Sequence, residues 1–223
     1  MIKILFLLIS IIISKTTFSA ITPFNLKKEE VVALLKSNGK HLIQENEIKD
    51  SPWPEITHYT IINATPLEAA AVLSYYPHQK LYVPDLIESN PVKKVTPTDT
   101  HVAYRMKVPW PLKDTRYVTG NIIKQIGPDS FEISWYLVSS ESIKKTKGSA
   151  KFIPLNGKTL MEYKNFVDPD NSFAPLVTSL MKSNLKETVE AIVARIESLA
   201  KNDSDQIQKY QETFLSALKE EKL

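Results

Sequence analysis

Residues 102–118 read VAYRMKVPWPLKDTRYV. In the first half Val102, Tyr104, Met106 and Val108 alternate with Ala103, Arg105 and Lys107. Successive side chains of an extended chain point to opposite faces, so this spacing predicts a strand with one apolar face and with Arg105 turned outward. Pro109-Trp110-Pro111 stops the ladder, because proline has no N–H to donate. Past a turn through Lys113 and Asp114, Arg116-Tyr117-Val118 opens a second strand. The stretch is a β-hairpin with a stiff corner that carries a tryptophan.

Downstream, the second arm of the hairpin continues to residue 125, and Gly127-Pro128-Asp129 is a turn. Over 131–139, Phe131, Ile133, Trp135 and Leu137 take one face and Glu132, Ser134 and Tyr136 the other. Residues 146–155 form a further strand. Asn156-Gly157 is a favoured hairpin dipeptide, and residues 159–167 return before Asp168-Pro169-Asp170-Asn171 ends the run. The period then changes. Over 175–200 apolar residues from Leu176 to Leu199 recur at three- and four-residue spacing, which predicts a helix of about 25 residues, nearly 40 Å long. Asn202-Asp203-Ser204-Asp205 breaks it, and a tail helix follows with Ile207, Tyr210, Phe214, Leu215 and Leu218. That tail could pack on the body, self-associate or sit on a partner.

Upstream, residues 24–39 carry a helical stripe of Leu26, Val31, Val32, Leu34 and Leu35, and residues 40–49 read as a first strand. Residues 56–62, ITHYTII, are β-branched and strand-forming. Thr65, Pro66 and Glu68 make a capping-box start for a helix running to about residue 76. Residues 77–84 read as a loop, and 86–96 as a strand interrupted at Pro91. Strands joined by short turns form an antiparallel meander. A sheet with one apolar face needs a cover, and the C-terminal helix is the only apolar element long enough.

The segment 109–118, PWPLKDTRYV, resembles the Pro-Trp-Pro-x-x-(Asp/Asn)-Arg-Asp-x-Val segment of START domains, with Thr115-Arg116 where that pattern has Arg-Asp. These domains are lipid-binding members of the helix-grip (SRPBCC) superfamily, which also includes polyketide cyclases and the Bet v 1 allergens. A strand followed by a small-residue–Pro–acidic helix start, here within 56–68, is the usual opening of START-like chains. The resemblance in element order covers roughly residues 50–200. It implies an α+β helix-grip fold: a curved antiparallel sheet wrapped around a long C-terminal helix, with an internal apolar cavity that binds a lipid.

Composition narrows the classes. At 223 residues, 43% hydrophobic and 24% charged, the chain suits one domain with a real core. Lys3 followed by the apolar run ILFLLISIII over 4–13 reads as a secretory signal, too short for the roughly 20 residues of a membrane span. Thr17, Ser19 and Ala20 supply the small residues of a cleavage site, with an uncleaved anchor as the alternative. The organisation is then signal peptide 1–20, an N-terminal helix and strand 21–50, a START-like lipid-binding domain 51–201, and a tail helix 202–223. The protein is expected to be exported, periplasmic or secreted. Cleavage takes Lys3 and Lys15 and no acid, so the formal charge falls from +3 to +1, which gives no electrostatic footprint for nucleic acid. With no cysteine there is no disulfide, thiolate metal site or thiol nucleophile, and an exported chain of this kind suits a bacterial envelope.

Catalytic patterns are thin. His41, His58, His78 and His101 show no metal-ligand spacing, and there is no G-x-S-x-G elbow or phosphate loop. Neither metal nor cofactor is expected. Tyr75-Tyr76-Pro77-His78 could serve acid–base chemistry of the cyclase kind, or simply end a helix. Strand parity puts Tyr104, Met106, Val108 and Trp110 on the concave face, with Phe131, Ile133, Trp135 and Leu137 beside them and Met161 and Tyr163 from the last strand. The helix offers Val177, Leu180, Met181 and Leu185. Such a stripe by itself more often fills a core, and it is the family resemblance that makes it a ligand cavity. Asp114, Arg116 and Glu162 are placed either at the cavity mouth or in ordinary surface pairs. The partner expected is a lipid or other hydrophobic small molecule, with transient membrane contact. The sequence leaves two rivals: an enzyme of the cyclase type using the same pocket, and an interaction module with a filled core acting through its tail helix.

Overall fold

The structure, a computed structural model, describes residues 24, 26–36, 41–49, 51–108, 114–169 and 174–222; the side chains of residues 28 and 174–182 lie outside that description. Among the described residues the strands form one antiparallel sheet of eight, ordered β1-β2-β8-β7-β6-β5-β4-β3. These are β1 Leu42–Asn46, β2 Glu55–Ile62, β3 Leu86–Lys94, β4 Asp99–Met106, β5 Thr115–Gly127, β6 Ser130–Ser140, β7 Ile143–Leu155 and β8 Lys158–Pro169. Strands β3 to β8 run as a meander, and β2 then pairs with β8, so the first and last parts of the chain meet. Local chemistry fixes the turns. Asn156 and Gly157, at φ 51° and 75°, make the left-handed pair that joins β7 to β8. Pro91 in β3 coincides with a register shift against β4.

Among the described residues four α-helices accompany the sheet: α1 Lys28–Lys36, α2 Pro66–Ser74, α3 Ala174–Asn202 and α4 Ser204–Glu220. Thr65 caps α2 with its hydroxyl on the Glu68 N–H, and the Glu68 carboxylate returns to the Thr65 N–H at 2.7 Å. Residues expected to be a loop after α2 are instead a 3₁₀ helix, Tyr76–Leu81. It is tied down by Gln79 Nε2 donating to the Leu73 carbonyl and by Ser89 Oγ donating to the Tyr76 carbonyl.

The two faces of the sheet are closed differently. On the outer face Leu26 and, from α1, Val31 and Leu34 pack over Tyr59, Leu155 and Leu160. On the concave face the core is built from α2, α3 and α4 together. Ala69, Ala70 and Ala71, essentially fully buried, let α2 approach closely, and Val189, Ile192, Ile196 and Leu199 come down from α3. The tail is not a separate appendage: Ile207, Tyr210, Phe214 and Leu218 of α4 are buried in this core. The cover is therefore shared among three helices, with Val189, Ile192, Ile196 and Leu199 of α3 in one buried cluster with α2 and α4. Residues 1–20, read as a signal peptide, lie outside the described residues.

Candidate functional site

The packed core occupies one end of the concave face. Towards the other end the inward-facing residues become smaller or more polar, and a cavity of about 620 Å³ opens beneath α3. That is the size of a small-molecule site, which typically has ~300–1,000 Å³. Its floor is the sheet: Ile56 of β2, Tyr104 and Met106 of β4, Tyr117, Thr119 and Asn121 of β5, Ile133 and Trp135 of β6, Thr146 of β7, and Tyr163, Asn165 and Val167 of β8. Leu185, Thr188 and Ile192 of α3 form the roof. Leu73, Tyr76, Gln79 and Val83 close one end. At the other end Asp114, Thr115, Glu141 and Ser142 converge from the β4–β5 and β6–β7 hairpins, and Glu141 is exposed, so the cavity reaches the surface there.

Of the residues expected to line a cavity, Tyr104, Met106, Val108, Ile133, Trp135, Tyr163 and Leu185 lie on its wall. Trp110 lies outside the described residues, as do the side chains of Val177, Leu180 and Met181. Phe131, Leu137 and Met161 do not line it. Parity assigns a residue to a face but not to a place along the strand. Phe131 sits at the packed end, its ring edge-on to Phe214 at 5.4 Å and 83°. Met161 is fully buried in the same core. Leu137 lies where the β5–β6 register shifts between Val118 and Thr119, and is half-buried away from the wall.

The expected mouth charges are also rearranged. Asp114 is on the rim, but its partner is Arg105, whose Nε and Nη2 both donate to Asp114 Oδ2 at 3.0 and 2.8 Å. Arg116 pairs with Arg105 across the β4–β5 ladder and is exposed on the outer face. Glu162 is not at the mouth. It alternates with Met161 and Tyr163, so it points to the outer face, where it is 4% exposed and 3.4 Å from Lys151 Nζ. Thr119, Asn121, Thr146 and Asn165 were missed for a physical reason: a polar residue on an inward position looks, in sequence, like a strand's outward face. The parity of β5 through Tyr117 carried the signal.

The wall is rich in phenols. Tyr104 and Tyr117 face each other across β4–β5 and stack at 5.4 Å and 25°. Trp135 lies 5.2 Å from Tyr163 and donates its indole N–H to Asn165 Oδ1 at 3.3 Å. Burial raises the pKa of Tyr76, Tyr104 and Tyr163 above the ordinary 10.0 and pushes Tyr117 up to about 12. All four hydroxyls are therefore protonated donors at any physiological pH.

One histidine lies next to the floor. His58 follows Ile56 on the concave face of β2, is 1% exposed, and has a buried Nδ1 with no hydrogen-bond partner. Burial lowers its pKa from 6.5 to about 4, with nearby His41 and Lys186 pushing the same way and Glu190 opposing. A base whose folded pKa is depressed binds more protons when unfolded, so folding stability falls as pH drops from 6.5 towards 4. At ~1.4 kcal/mol per pH unit the loss approaches about 3 kcal/mol. Urea midpoints measured across that window should fall steeply for the wild type and clearly less for His58→Gln. Parallel pH profiles would show that His58 is not buried as a neutral group.

No family model matches the sequence, and no curated protein matches it. Solved structures match by shape. The STAR-related lipid transfer protein (fragment 25–204) from Xanthomonas axonopodis superposes with a TM-score of 0.65 at 16% identity, over 72% of this chain and 96% of that one. Human StAR-related lipid transfer protein 5 gives 0.60 at 10% identity, over 77% and 93%. The Zhui aromatase/cyclase from Streptomyces sp. R1128 gives 0.58 at 8% identity, over 68% and 98%. At these identities the likeness concerns architecture alone, and with the sheet order, the helical cover and the cavity described above it gives the chain the START-like, helix-grip fold.

Proposed function

We propose that the protein binds a hydrophobic small molecule, a lipid, in the cavity between the sheet and α3. The observation that carries this reading is the cavity itself: about 620 Å³, roofed by Leu185 and Ile192, floored by Met106 and Ile133, and open at a rim bearing Asp114 and Glu141. Apolar ligand surface moved there from water gains roughly 25 cal/mol per Å², or roughly 5 kcal/mol per 200 Å². The lipid-transfer proteins among its structural neighbours support the same reading. Read with the signal-like residues 1–20, the function is solubilisation and carriage of a lipid outside the cytoplasm, with transient membrane contact at loading and release. A second reading, an enzyme of the cyclase kind, is favoured by the polar groups on the wall and by the aromatase/cyclase neighbour.

Native mass spectrometry of the exported protein, followed by organic extraction and lipid identification, tests the reading. The expected result is one co-purified lipid per chain, recovered unchanged. A ligand-free protein that takes up neither fluorescent lipid nor sterol probes would overturn it, and conversion of the bound molecule would favour the enzyme.

A further inference from the structure

The inner end of the cavity, under the 3₁₀ helix, is unusual for an apolar pocket. Tyr76 is 7% exposed, lines the cavity and has a buried hydroxyl with no hydrogen-bond partner. The phenols of Tyr76, Tyr117 and Tyr163 are all close enough to Tyr104 for the ionisation of any of them to oppose its own. A buried hydroxyl left unpaired costs about 1–3 kcal/mol, and such groups are rare unless something completes them. Four phenols that line the cavity, Tyr104 from β4, Tyr117 from β5, Tyr163 from β8 and Tyr76 from the segment after α2, are all potential donors. Among the described residues of the wall there is no lysine, arginine or histidine, and of the two acids at the rim Asp114 is held by Arg105.

We propose that the hydroxyls of Tyr76, Tyr104, Tyr117 and Tyr163 form the polar end of the cavity and receive an uncharged, oxygen-bearing group of the ligand, so that the protein selects neutral lipids over anionic ones. This deepens the lipid-binding reading and rests on it. The physical logic has two parts. An acceptor oxygen brought into the cluster satisfies donors that are otherwise unpaired, while a plain hydrocarbon leaves them so. An anion would also be hydrogen-bonded there, but it would be buried with no cationic side chain among the described residues of the wall, and an uncompensated buried charge is strongly disfavoured.

The test uses delipidated protein and three chains of matched length: cetyl alcohol, cetane and palmitate, the last at a pH where it is ionised. Each competes with a fluorescent lipid probe for the cavity. Cetyl alcohol should displace the probe at about tenfold lower concentration than either of the others, the effect of one or two satisfied hydrogen bonds. In the double variant Tyr76→Phe/Tyr104→Phe the alcohol should lose most of that advantage while cetane binds as before. Tyr76→Phe alone removes a hydroxyl that has no partner in the unliganded protein, so its ligand-free melting temperature should stay level or rise, whereas its gain in melting temperature on adding cetyl alcohol should shrink. Equal competition by alcohol and alkane, tighter binding of palmitate, or phenylalanine variants that keep the full preference would each overturn the proposal while leaving a lipid cavity in place. If neither a fluorescent lipid nor a sterol probe binds, the lipid-binding reading itself fails, whereas a bound probe that cetyl alcohol does not displace overturns only the proposal.

Discussion

Gly148→Val should destabilise the protein by about 3 kcal/mol or more and abolish uptake of any cavity ligand. Gly148 lies on β7 between Trp135 of β6 and Asn165 of β8. The Trp135 ring lies across it and reaches Asn165 with its indole N–H. A Cβ at this position would meet Trp135 ring carbons at 2.3 and 2.5 Å and the Lys164 carbonyl oxygen at 2.3 Å. The indole could swing away, but only into the cavity it now walls. The carbonyl belongs to the neighbouring strand and cannot move without opening the ladder. Overpacking of this kind typically costs ~1–3 kcal/mol, and contact with backbone puts the site at the upper end or beyond. Gly127→Ala is the control. It sits on the same sheet, but an added Cβ meets only the Ser130 side chain, at 3.7 Å, so the stability change should stay within about 1 kcal/mol. Chemical denaturation followed by circular dichroism, with probe uptake in parallel, reads both effects. A Gly148→Val protein as stable as the wild type would mean that the indole does not rest on β7.

The role of Gly148 illustrates what the sequence could and could not convey. Signals that act within a few residues were legible. Thr65, Pro66 and Glu68 announce α2 because the capping box is closed by its own members. Asn156-Gly157 announces the β7–β8 turn because the required backbone conformation is local. The alternation of Tyr104 and Met106, or of Ile133 and Trp135, correctly separates concave from convex. What alternation cannot tell is position along a strand. Phe131 and Trp135 have the same parity, yet one is sealed against Phe214 and the other borders the cavity, because α4 covers only one end of the sheet. Arg105 and Arg116 likewise share a face, and only the turn geometry decides which one Asp114 holds. The phenol cluster was hidden for a different reason. Its members come from β4, β5, β8 and the segment between α2 and β3, and no sequence period links them.

A chain ending at Asn202 should fail to fold cooperatively. An amphipathic tail beyond a complete domain would be dispensable to the fold, whereas the buried faces of Ile207, Tyr210, Phe214 and Leu218 make α4 part of the core. Tyr210 stacks on Tyr75 at 4.2 Å and 22°, and its hydroxyl is hydrogen-bonded to His78 Nδ1. Phe214 meets Phe131. Burying a large apolar side chain contributes about 1.5–3 kcal/mol, so removing four of them takes away about 6–12 kcal/mol and also exposes their partners on α2 and β6. A domain of this kind is stable by only about 5–15 kcal/mol in total. Because a truncated chain can be lost for reasons other than packing, Phe214→Ala in the full chain supplies the graded version. It should lower stability by about 3–5 kcal/mol, the usual loss for a buried phenylalanine. Urea denaturation of that variant, and circular dichroism of the truncated chain, measure the two. A truncated protein that unfolds at the wild-type midpoint would show α4 to be an appendage and would return it to the role of a docking element. The expected outcome instead makes the tail a structural partner of α2, holding closed the end of the sheet where Phe131 and Met161 pack, so that the cavity is confined to the other.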